Sequence, residues 1–237
     1  MNCLLIEESE LDRDSMRVRL SGRRRRHADE ILKVRAGDHL RVGLIDGPLG
    51  RGEIKTLDRE VLELEVVLDT EPPEKLPLQI VLALPRPPVF RRLLSTIASL
   101  GAESLLVVGS ARTEKSFWQS HVVEPDEIRE RLLLGLEQAR DSVLPKVQIH
   151  RYFEPLVEEV LPSAIAGRRA LLAHPGSAQA CPHAPGEPIT LFIGPEGGFI
   201  DYEVERLTGI GFEAVALGER ILRVEPVIPL LVGRLFG

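Results

Sequence analysis

The sequence predicts an α/β protein in which a small β-rich domain precedes a larger domain built on a parallel sheet. Three observations favour this fold class. The proline-rich stretch at residues 70–77 is expected neither to pair in a sheet nor to continue a helix, so it divides the chain into domains 1–72 and 73–237. Before it, short apolar runs alternate with turn residues. After it, apolar strands alternate with amphipathic helices.

The first domain is predicted to contain short strands and one helix. Strands are expected at Cys3–Ile6, Leu40–Leu44 and Val61–Val67. A helix is expected over residues 22–34, because apolar side chains fall at helical spacing after a possible cap at Ser21. Turns are predicted at Asp46-Gly47, Leu49-Gly50 and Leu57-Asp58.

The second domain is predicted to hold a parallel sheet covered by helices on both faces. One apolar stripe begins at Phe90 and stops at Gly101, and another, opening near Pro125, runs from Ile128 to Leu136. Further helices are expected near Asp201 and at Glu225-Pro226, with Pro229 in the first turn of the last one. The predicted strands are Leu78–Leu84, Ser104–Gly109, Val147–Arg151, Ala170–His174, Ile189–Gly194 and Ala214–Leu217.

Composition and charge narrow the functional classes. With 237 residues, 43% of them hydrophobic, the chain can bury a substantial core. No apolar stretch approaches bilayer length and no signal-peptide pattern begins the chain, so we expect a cytoplasmic protein without a membrane partner. The two cysteines, Cys3 and Cys181, are expected to be reduced thiols.

Basic residues are concentrated near the N-terminus, although the net charge is −6. Between residues 17 and 35 the only acidic side chains are Asp29 and Glu30. Such a run is usually a solvated face, but it can also contact a phosphate backbone. A second candidate surface surrounds Trp118, for which core packing is an alternative explanation. The basic side chains of this stretch are Arg17, Arg19, Arg23, Arg24, Arg25, Arg26, Lys33 and Arg35.

Three predicted strands end in small or conformationally special residues that together could hold one small ligand. An apolar strand opens into Gly194-Pro-Glu-Gly-Gly198, where glycines would let a ligand approach the backbone, although a tight turn is the alternative explanation. Leu217-Gly218 precedes Arg220 and Arg223, and Ala173-His-Pro-Gly176 ends another strand. In parallel sheets, ligands bind beyond such carboxyl ends.

Several site classes find no support in the sequence. The glycine loop lacks the Lys-Ser/Thr ending of a P-loop and the spacing of a dinucleotide fingerprint. No Gly-x-Ser-x-Gly nucleophile elbow occurs. His174, Cys181 and His183 lack a fourth ligand at metal-binding spacing, so no metal is expected.

The segments Ile193-Gly-Pro-Glu-Gly-Gly-Phe199 and Leu217-Gly-Glu-Arg-Ile-Leu-Arg-Val-Glu225 resemble the signature of the RsmE family. These are 16S ribosomal RNA uracil-N3 methyltransferases of the SPOUT superfamily. The segment Ile31 to Asp38 with His27, and Leu136-Glu-Gln138, are weaker matches. The resemblance covers nearly the whole chain.

The resemblance implies a PUA-like β-barrel at residues 1–72 that helps to hold RNA, and a SPOUT methyltransferase domain at 73–237 tied in a deep trefoil knot. It also implies S-adenosylmethionine as cofactor, 16S rRNA of the small subunit as partner, and a homodimer. The implied cofactor-binding residues are Ala173, His174, Pro175, Gly176, Ile193, Gly194, Pro195, Glu196, Gly197, Gly198, Leu217, Gly218, Arg220, Ile221, Leu222 and Arg223. Catalytic candidates are Arg220, Arg223, Glu196 and Glu225, and RNA-binding candidates are Arg23, Arg24, Arg25, Arg26, His27 and Lys33.

The chain departs from the family pattern at several places, among them the end of the last signature segment and the middle segment. Pro226 and Val227 follow Glu225 where the family usually has Thr-Ala, and Arg140 sits one place early in the middle segment. These changes bear on contacts with the target RNA more than on the cofactor. Two alternatives therefore stay open: a SPOUT methyltransferase acting on another RNA, and an RNA-binding or ribosome-assembly protein of the same fold with little catalysis.

Overall fold

The computed structural model describes residues 2–237, which divide into two compact units. The first contains the chain up to Glu74 together with Leu133–Leu144, and the second contains Lys75–Leu132 together with Pro145–Gly237. Each unit holds one six-stranded sheet. The chain is therefore an α/β protein with two separate sheets.

The first unit is built on a mixed sheet. Its strand order is β1-β4-β5-β6-β3-β2, in which β1 runs parallel to β4 and the other neighbours are antiparallel. Apolar side chains that alternate with polar ones along β3 and β6 point into one buried cluster. The strands are β1 (Leu4–Ile6), β2 (Leu11–Asp12), β3 (Arg17–Leu20), β4 (His39–Leu44), β5 (Leu49–Leu57) and β6 (Leu62–Thr70).

The strands expected near Cys3, Leu40 and Val61 are confirmed as β1, β4 and β6, but the turn expected at Leu49-Gly50 is wrong. Gly50 lies inside β5, where the pairing register with β6 shifts. A Cβ at Gly50 would lie 1.8 Å from the Val67 carbonyl oxygen. The glycine therefore permits close approach of two strands at a β-bulge, a role that resembles a turn signal in sequence.

One helical segment crosses between β3 and β4, as predicted, but it is shorter and less regular than expected. It consists of α1 (Gly22–Arg26) followed by a π-helical turn at His27–Ile31. Ala28 is its buried residue. The segment therefore ends before Val34, the last residue of the predicted helix.

The second unit holds the predicted parallel sheet, with order β12-β10-β11-β7-β8-β9 and every neighbouring pair parallel. All six predicted strands are present, with ends that differ by at most two residues. They are β7 (Leu76–Ala83), β8 (Ala102–Val108), β9 (Lys146–His150), β10 (Arg169–Ala173), β11 (Ile189–Ile193) and β12 (Glu213–Val215).

The proline-rich stretch is narrower than the sequence suggested. Thr70 ends β6, and both Leu76 and Pro77 lie in β7, so the expectation that residues 70–77 form no sheet pairing is wrong at both ends. Pro77 is tolerated because it lies near the start of the strand, where the pairing with β8 is irregular between Leu76 and Gln79.

Helices connect the strands of the second unit. Phe192 on β11 packs edge-on against Phe199 and Phe212, with ring centroids 5.2 and 5.9 Å apart. Pro229 was expected in the first turn of the last helix but lies beyond it, because that helix begins at Val224. The helices after α1 are α2 (Pro87–Ser99), α3 (Pro125–Ala139), α4 (Phe153–Pro155), α5 (Leu161–Ala164), α6 (Asp201–Gly209) and α7 (Val224–Phe236), of which α3 begins in the second unit and ends in the first. A π turn lies at Leu156–Val160, and short 3-10 turns lie at Lys115–Gln119 and His121–Val123. A further 3-10 turn, at Glu8–Glu10, belongs to the first unit. Across residues 2–237 no helix is both long and apolar enough to cross a membrane.

Candidate ligand-binding and catalytic site

A cavity of about 340 Å³ lies beyond the carboxyl ends of three strands of the second unit. The strands β12, β10 and β11 are neighbours in the sheet, so the loops that follow them emerge side by side. The sequence predicted that these three strand ends would lie together, and the structure brings them together around this cavity.

Most of the residues proposed to bind the cofactor line this cavity, whereas Gly176 and Arg223 do not. The chain turns at Gly176, because the Ser177 amide donates to the His174 carbonyl oxygen at 3.0 Å. Arg223 is exposed and precedes α7. The proposed residues that line the cavity are Ala173, His174, Pro175, Ile193, Gly194, Pro195, Glu196, Gly197, Gly198, Leu217, Gly218, Arg220, Ile221 and Leu222.

The glycine loop is held close to another side chain. A Cβ at Gly197 would lie 3.1 Å from Cδ and 3.2 Å from Cβ of Arg112. Gly198 has φ +71°, a backbone conformation that disfavours other residues. The backbone conformation therefore favours glycine at position 198, and the contact with Arg112 makes position 197 tight for any larger residue.

Arg112 is a cavity residue that the sequence analysis missed. Its Nη1 atom donates hydrogen bonds to the carbonyl oxygens of Gly197 and Phe199, the latter at 3.4 Å. Arg112 follows β8, which ends at the same edge of the sheet as β10 and β11. The strand end at Gly109 was a usable signal, but its loop contains no motif comparable to Gly-Pro-Glu-Gly-Gly.

Glu203, a buried carboxylate, connects the Arg112 loop to the glycine loop. Its Oε1 accepts from the Ala111 amide at 2.7 Å, and its Oε2 accepts from the Ile200 amide at 3.1 Å. Glu203 is 2% exposed. Arg112 and Glu203 thus both bind the C-terminal part of the glycine loop, which fixes this wall of the cavity before any ligand arrives.

Apolar side chains form much of the remaining wall. Val227 and Leu231 are one turn apart on α7, and both line the cavity. No motif in the sequence marks these two positions, so neither was predicted. The other lining residues that were not predicted are Phe199, Val215, Ala216 and Val224.

Glu196 lines the cavity and also accepts a backbone hydrogen bond. Its Oε1 accepts from the Arg86 amide at 3.0 Å. Arg86 immediately precedes α2, so the carboxylate lies at the amino end of a helix, where negative charge is stabilised. Glu196 can therefore accept a hydrogen bond from the backbone and still face a ligand in the cavity.

Glu225 lies outside the cavity lining and is engaged elsewhere. Its carboxylate pairs with Arg92 at 2.7 Å, in the first turn of α7. The hydrogen bond from Arg92 is the main cause that lowers the pKa of Glu225 below its ordinary value. A carboxylate held in its charged form accepts a proton less readily, which weakens the case for Glu225 as a general base.

Arg220 is the basic catalytic candidate that reaches the cavity. It lines the cavity and is exposed. Within residues 2–237, no hydrogen bond or ion pair occupies its guanidinium group. It is therefore free to meet an anionic group of a ligand or substrate.

The arginine run in the first unit is largely engaged in structural contacts. Arg23 pairs with Glu137, Arg24 pairs with Glu10, and Arg25 pairs with Asp29. Arg24 also donates to the Leu5 carbonyl oxygen at 2.8 Å, and Arg25 donates to the Asp58 carbonyl oxygen at 2.7 Å. These contacts hold α1 against its surroundings within the unit.

The other RNA-binding candidates differ in exposure. Arg26 and Lys33 are exposed. The ring of His27 is partly buried, and its Nε2 atom has no hydrogen-bond partner among the described residues. Burial, with a smaller effect of Arg23, lowers the pKa of His27, so the imidazole is neutral at pH 7. Arg26 and Lys33 are thus the candidates best placed to meet a phosphate.

Neither a disulfide nor a cluster of metal ligands is found among the described residues. Cys3 and Cys181 are both buried and unpaired, and burial raises the pKa of the Cys3 thiol to about 12. No group of three or more His, Cys, Asp or Glu side chains within residues 2–237 is arranged to hold a metal ion.

These features define a class: an α/β protein that binds a small ligand in a glycine-lined cavity beyond the carboxyl ends of parallel strands. The family model described as "RNA methyltransferase domain" matches residues 72–234. The chain therefore belongs to the RNA methyltransferase domain family, and the protein is an RNA methyltransferase.

Individual relatives agree with this assignment and confirm the resemblance found in the motifs. The chain is 28% identical to ribosomal RNA small subunit methyltransferase E of Treponema pallidum over 95% of this chain and 86% of the relative. It is 27% identical to the protein of the same name from Mycobacterium bovis, over 87% of this chain and 81% of that one.

Solved structures share the fold. A Legionella pneumophila protein in complex with S-adenosylmethionine superposes with a TM-score of 0.80 at 20% identity, covering 98% of this chain and 95% of that one. Ribosomal RNA small subunit methyltransferase E of Neisseria gonorrhoeae, bound to S-adenosylmethionine, gives a TM-score of 0.75 at 21% identity with the same coverage.

Proposed function

We propose that this enzyme uses S-adenosylmethionine to methylate N3 of a specific uridine in 16S ribosomal RNA of the small subunit. The observation that carries the proposal is the single cavity formed by three signature loops at the ends of neighbouring strands. Relatives named for small-subunit methylation, and similar folds solved with S-adenosylmethionine, support this choice of substrate and cofactor.

The cavity has the chemistry that S-adenosylmethionine requires. Apolar residues such as Ile193, Val215 and Leu222 offer a surface for an aromatic base, and the glycine loop exposes backbone groups for polar contacts. A side chain at Gly197 would press against Arg112, so glycine keeps this part of the wall open to a ligand. When bound, the cofactor supplies a methyl group already activated by its sulfonium, so the protein has mainly to position the reactants.

Two residues at the cavity wall act in the removal of a proton from the base and in the stabilisation of the charge that results. N3 of uracil carries a proton at neutral pH, which must leave before the nitrogen can act as a nucleophile. Glu196, at the cavity wall, accepts this proton or orients the group that accepts it. Arg220 stabilises the negative charge that then develops on the base. Glu225, which lies outside the lining, fixes the start of α7 through its ion pair with Arg92, and Arg223 precedes that helix, also outside the lining.

The organisation of the chain completes the proposal. Residues 1–72 form a PUA-like domain that helps to hold RNA through Arg26 and Lys33, and residues 73–237 form the SPOUT domain. The chain of this second domain is tied in a trefoil knot, which the resemblance of its signature segments implies. The enzyme works in the cytoplasm, where its ribosomal substrate is found.

A homodimer is supported by apolar side chains that remain exposed near the cavity. Ile221 is 83% exposed and Leu230 is 51% exposed, in the segment from β12 into α7. A second copy of the chain would cover them. Sedimentation analysis tests this, and a monomer at micromolar concentration would contradict it.

The function is tested in two steps. Calorimetric titration with S-adenosylmethionine should show binding, and absence of binding at high cofactor concentration would remove the enzymatic proposal. Methyl transfer is then compared on small ribosomal subunits, naked 16S transcripts and transfer RNA, with the product identified as N3-methyluridine by mass spectrometry of nucleosides. Product on transfer RNA alone would overturn the proposed substrate.

A further inference from the structure

Two arginines face each other across neighbouring strands of the first unit. Arg41 on β4 and Arg51 on β5 are directly opposite in the antiparallel register, and both are exposed. Side chains at opposite positions on one face lie about 5 Å apart at their Cβ atoms. Like charges at that separation destabilise a sheet, so this arrangement calls for a compensating partner.

No compensating partner is present within the described chain. Neither guanidinium forms an ion pair or hydrogen bond in residues 2–237. The neighbouring carboxylates Glu53 and Glu65 both pair with Lys55, at 2.9 and 3.2 Å, and the Asp69 carboxylate accepts from the Thr70 hydroxyl rather than from either arginine. Arg41 and Arg51 differ in this respect from Arg23, Arg24 and Arg25 of the arginine run, which all have carboxylate partners.

The two arginines line an open groove with a volume of about 610 Å³. The β-bulge at Leu49 and Gly50, where the register with β6 shifts, bends β5 at this point. Asp69 is the acidic residue of the lining, and Thr70 donates a hydrogen bond to its carboxylate at 3.0 Å. The remaining lining residues are His39, Leu40, Leu49, Gly50 and Thr70.

An apolar side chain continues the row of the two arginines. Val67 on β6 is opposite Arg51, and 47% of its surface is exposed. The row Arg41, Arg51, Val67 therefore presents two forked cations followed by an apolar contact. Guanidinium groups bind phosphate oxygens with two hydrogen bonds each, and an exposed apolar side chain can contact a ribose or base.

We propose that the groove at Arg41 and Arg51 binds the phosphate backbone of the RNA substrate. The open shape and the spacing of two cations along one row fit successive phosphates of an extended strand. Bound phosphates remove the repulsion between the two arginines, which explains why the sheet tolerates the pair. This inference rests on the proposed RNA substrate and adds a second contact surface, separate from the arginine run.

The test uses the full-length protein with Arg41→Gln and Arg51→Gln combined. Binding to a 16S rRNA fragment is measured over a range of salt concentrations. The affinity should fall about ten- to thirtyfold at ~0.15 M salt, and the slope of log K against log salt should become shallower by about 1.4 to 2, the loss of two phosphate contacts. Arg41→Lys with Arg51→Lys should retain most of the slope.

A matched control removes two other exposed arginines of the same unit, Arg19→Gln with Arg59→Gln. Both double variants change the net charge by the same amount. An equal loss of RNA affinity in the two would therefore indicate a general charge effect and would contradict the proposed binding of RNA in the groove. Thermal unfolding should show the Arg41/Arg51 variant at least as stable as wild type, because the repulsion is gone.

The failure of this inference can be separated from failure of the proposed function. The wild-type protein could bind and methylate RNA while the Arg41/Arg51 variant keeps an unchanged salt slope. That result would contradict only the proposal that the groove binds RNA. Wild-type protein that binds no RNA and transfers no methyl group would remove the function itself. Binding of S-adenosylmethionine should be the same in all variants, which shows that the second unit is intact.

Discussion

Arg23 and Glu137 form an ion pair in which two guanidinium nitrogens reach the carboxylate, at 3.1 and 3.3 Å, although 114 residues separate them in sequence. Glu137 is 2% exposed, and burial raises the pKa of its carboxyl, an effect that the charge of Arg23 counteracts. The pair joins the arginine run to the middle segment of the RsmE signature. The two segments therefore stabilise one structural unit.

Replacing Arg23 with alanine should destabilise the first unit by about 1–3 kcal/mol at pH 7, because a buried carboxylate loses its partner. Without Arg23, burial holds the folded-state pKa of Glu137 further above its ordinary value of 4.5. A raised folded-state pKa means that stability is lost as pH rises through it, so the defect should shrink toward pH 4.5. Urea unfolding between pH 4.5 and 8 measures this.

The double variant Arg23→Ala with Glu137→Gln provides the control for that prediction. It removes the unpaired charge, so it should recover part of the lost stability and show no such pH dependence. If wild type, the single variant and the double variant all have the same stability at every pH, the ion pair contributes nothing and Arg23 is available for RNA.

Gly197→Val should abolish binding of S-adenosylmethionine, because the new side chain would collide with Arg112 and displace the glycine loop. Gly209→Val is the matched control, since a Cβ at Gly209 meets no atom within 4 Å. Calorimetry gives the affinity of each variant. Unchanged affinity in Gly197→Val would show that the loop does not contact the cofactor.

Apolar periodicity was sufficient to predict the second unit, because each strand of a buried parallel sheet is a continuous apolar run. It failed for β2, β3 and β5, which were not predicted. β3 alternates arginine with apolar residues, and β5 contains Gly50 and Gly52, which are usual in turns. Whether such segments form strands depends on their pairing register and on the close approach of neighbouring strands, rather than on the local β propensity of their residues.

The site was predictable where a motif marks a loop, and not where tertiary contacts build the wall. The glycine loop and the loop at Leu217 carry recognisable residues at strand ends. Arg112 and Leu231 reach the cavity only because β8 and α7 are brought beside those loops. No sequence pattern likewise indicates that Arg23 and Arg24 have carboxylate partners distant in sequence, Glu137 and Glu10.

Arg112→Ala should weaken S-adenosylmethionine binding about five- to fiftyfold, because the bonds to the Gly197 and Phe199 carbonyl oxygens are lost. As a positioning residue, it should raise KM for the cofactor while kcat changes little. Lys115→Ala, an exposed change in the same connection, is the control. A fall in kcat without a change in KM would instead indicate direct contact with the reacting groups.

The two carboxylates of the signature should separate in their effect on catalysis. Glu196→Gln is expected to lower kcat, because Glu196 lines the cavity. Glu225→Gln should leave kcat largely unchanged, because Arg92 holds Glu225 in its charged form outside the lining. The opposite pattern would make Glu225 the base.

Glu225 should instead show its role in stability. Its lowered folded-state pKa means that its stabilisation is present above the ordinary value of 4.5 and is lost as pH falls through the folded-state pKa. Because Arg92 is largely exposed, the pair is worth only about 0.2–1 kcal/mol. Unfolding of Glu225→Gln and wild type should therefore differ slightly at pH 7 and converge at low pH.

Arg220→Ala should slow methyl transfer about a hundredfold or more while it weakens cofactor binding far less, because a preorganised cation acts mainly on charge that develops during the reaction. Arg220 lines the cavity and is exposed, which leaves its guanidinium free for the target base. Arg223→Ala, three residues along and outside the lining, is the matched control and should retain most activity. Single-turnover rates measured at saturating cofactor separate the two effects. Equal losses in rate and in cofactor affinity for Arg220→Ala would place this arginine on the cofactor instead of the base.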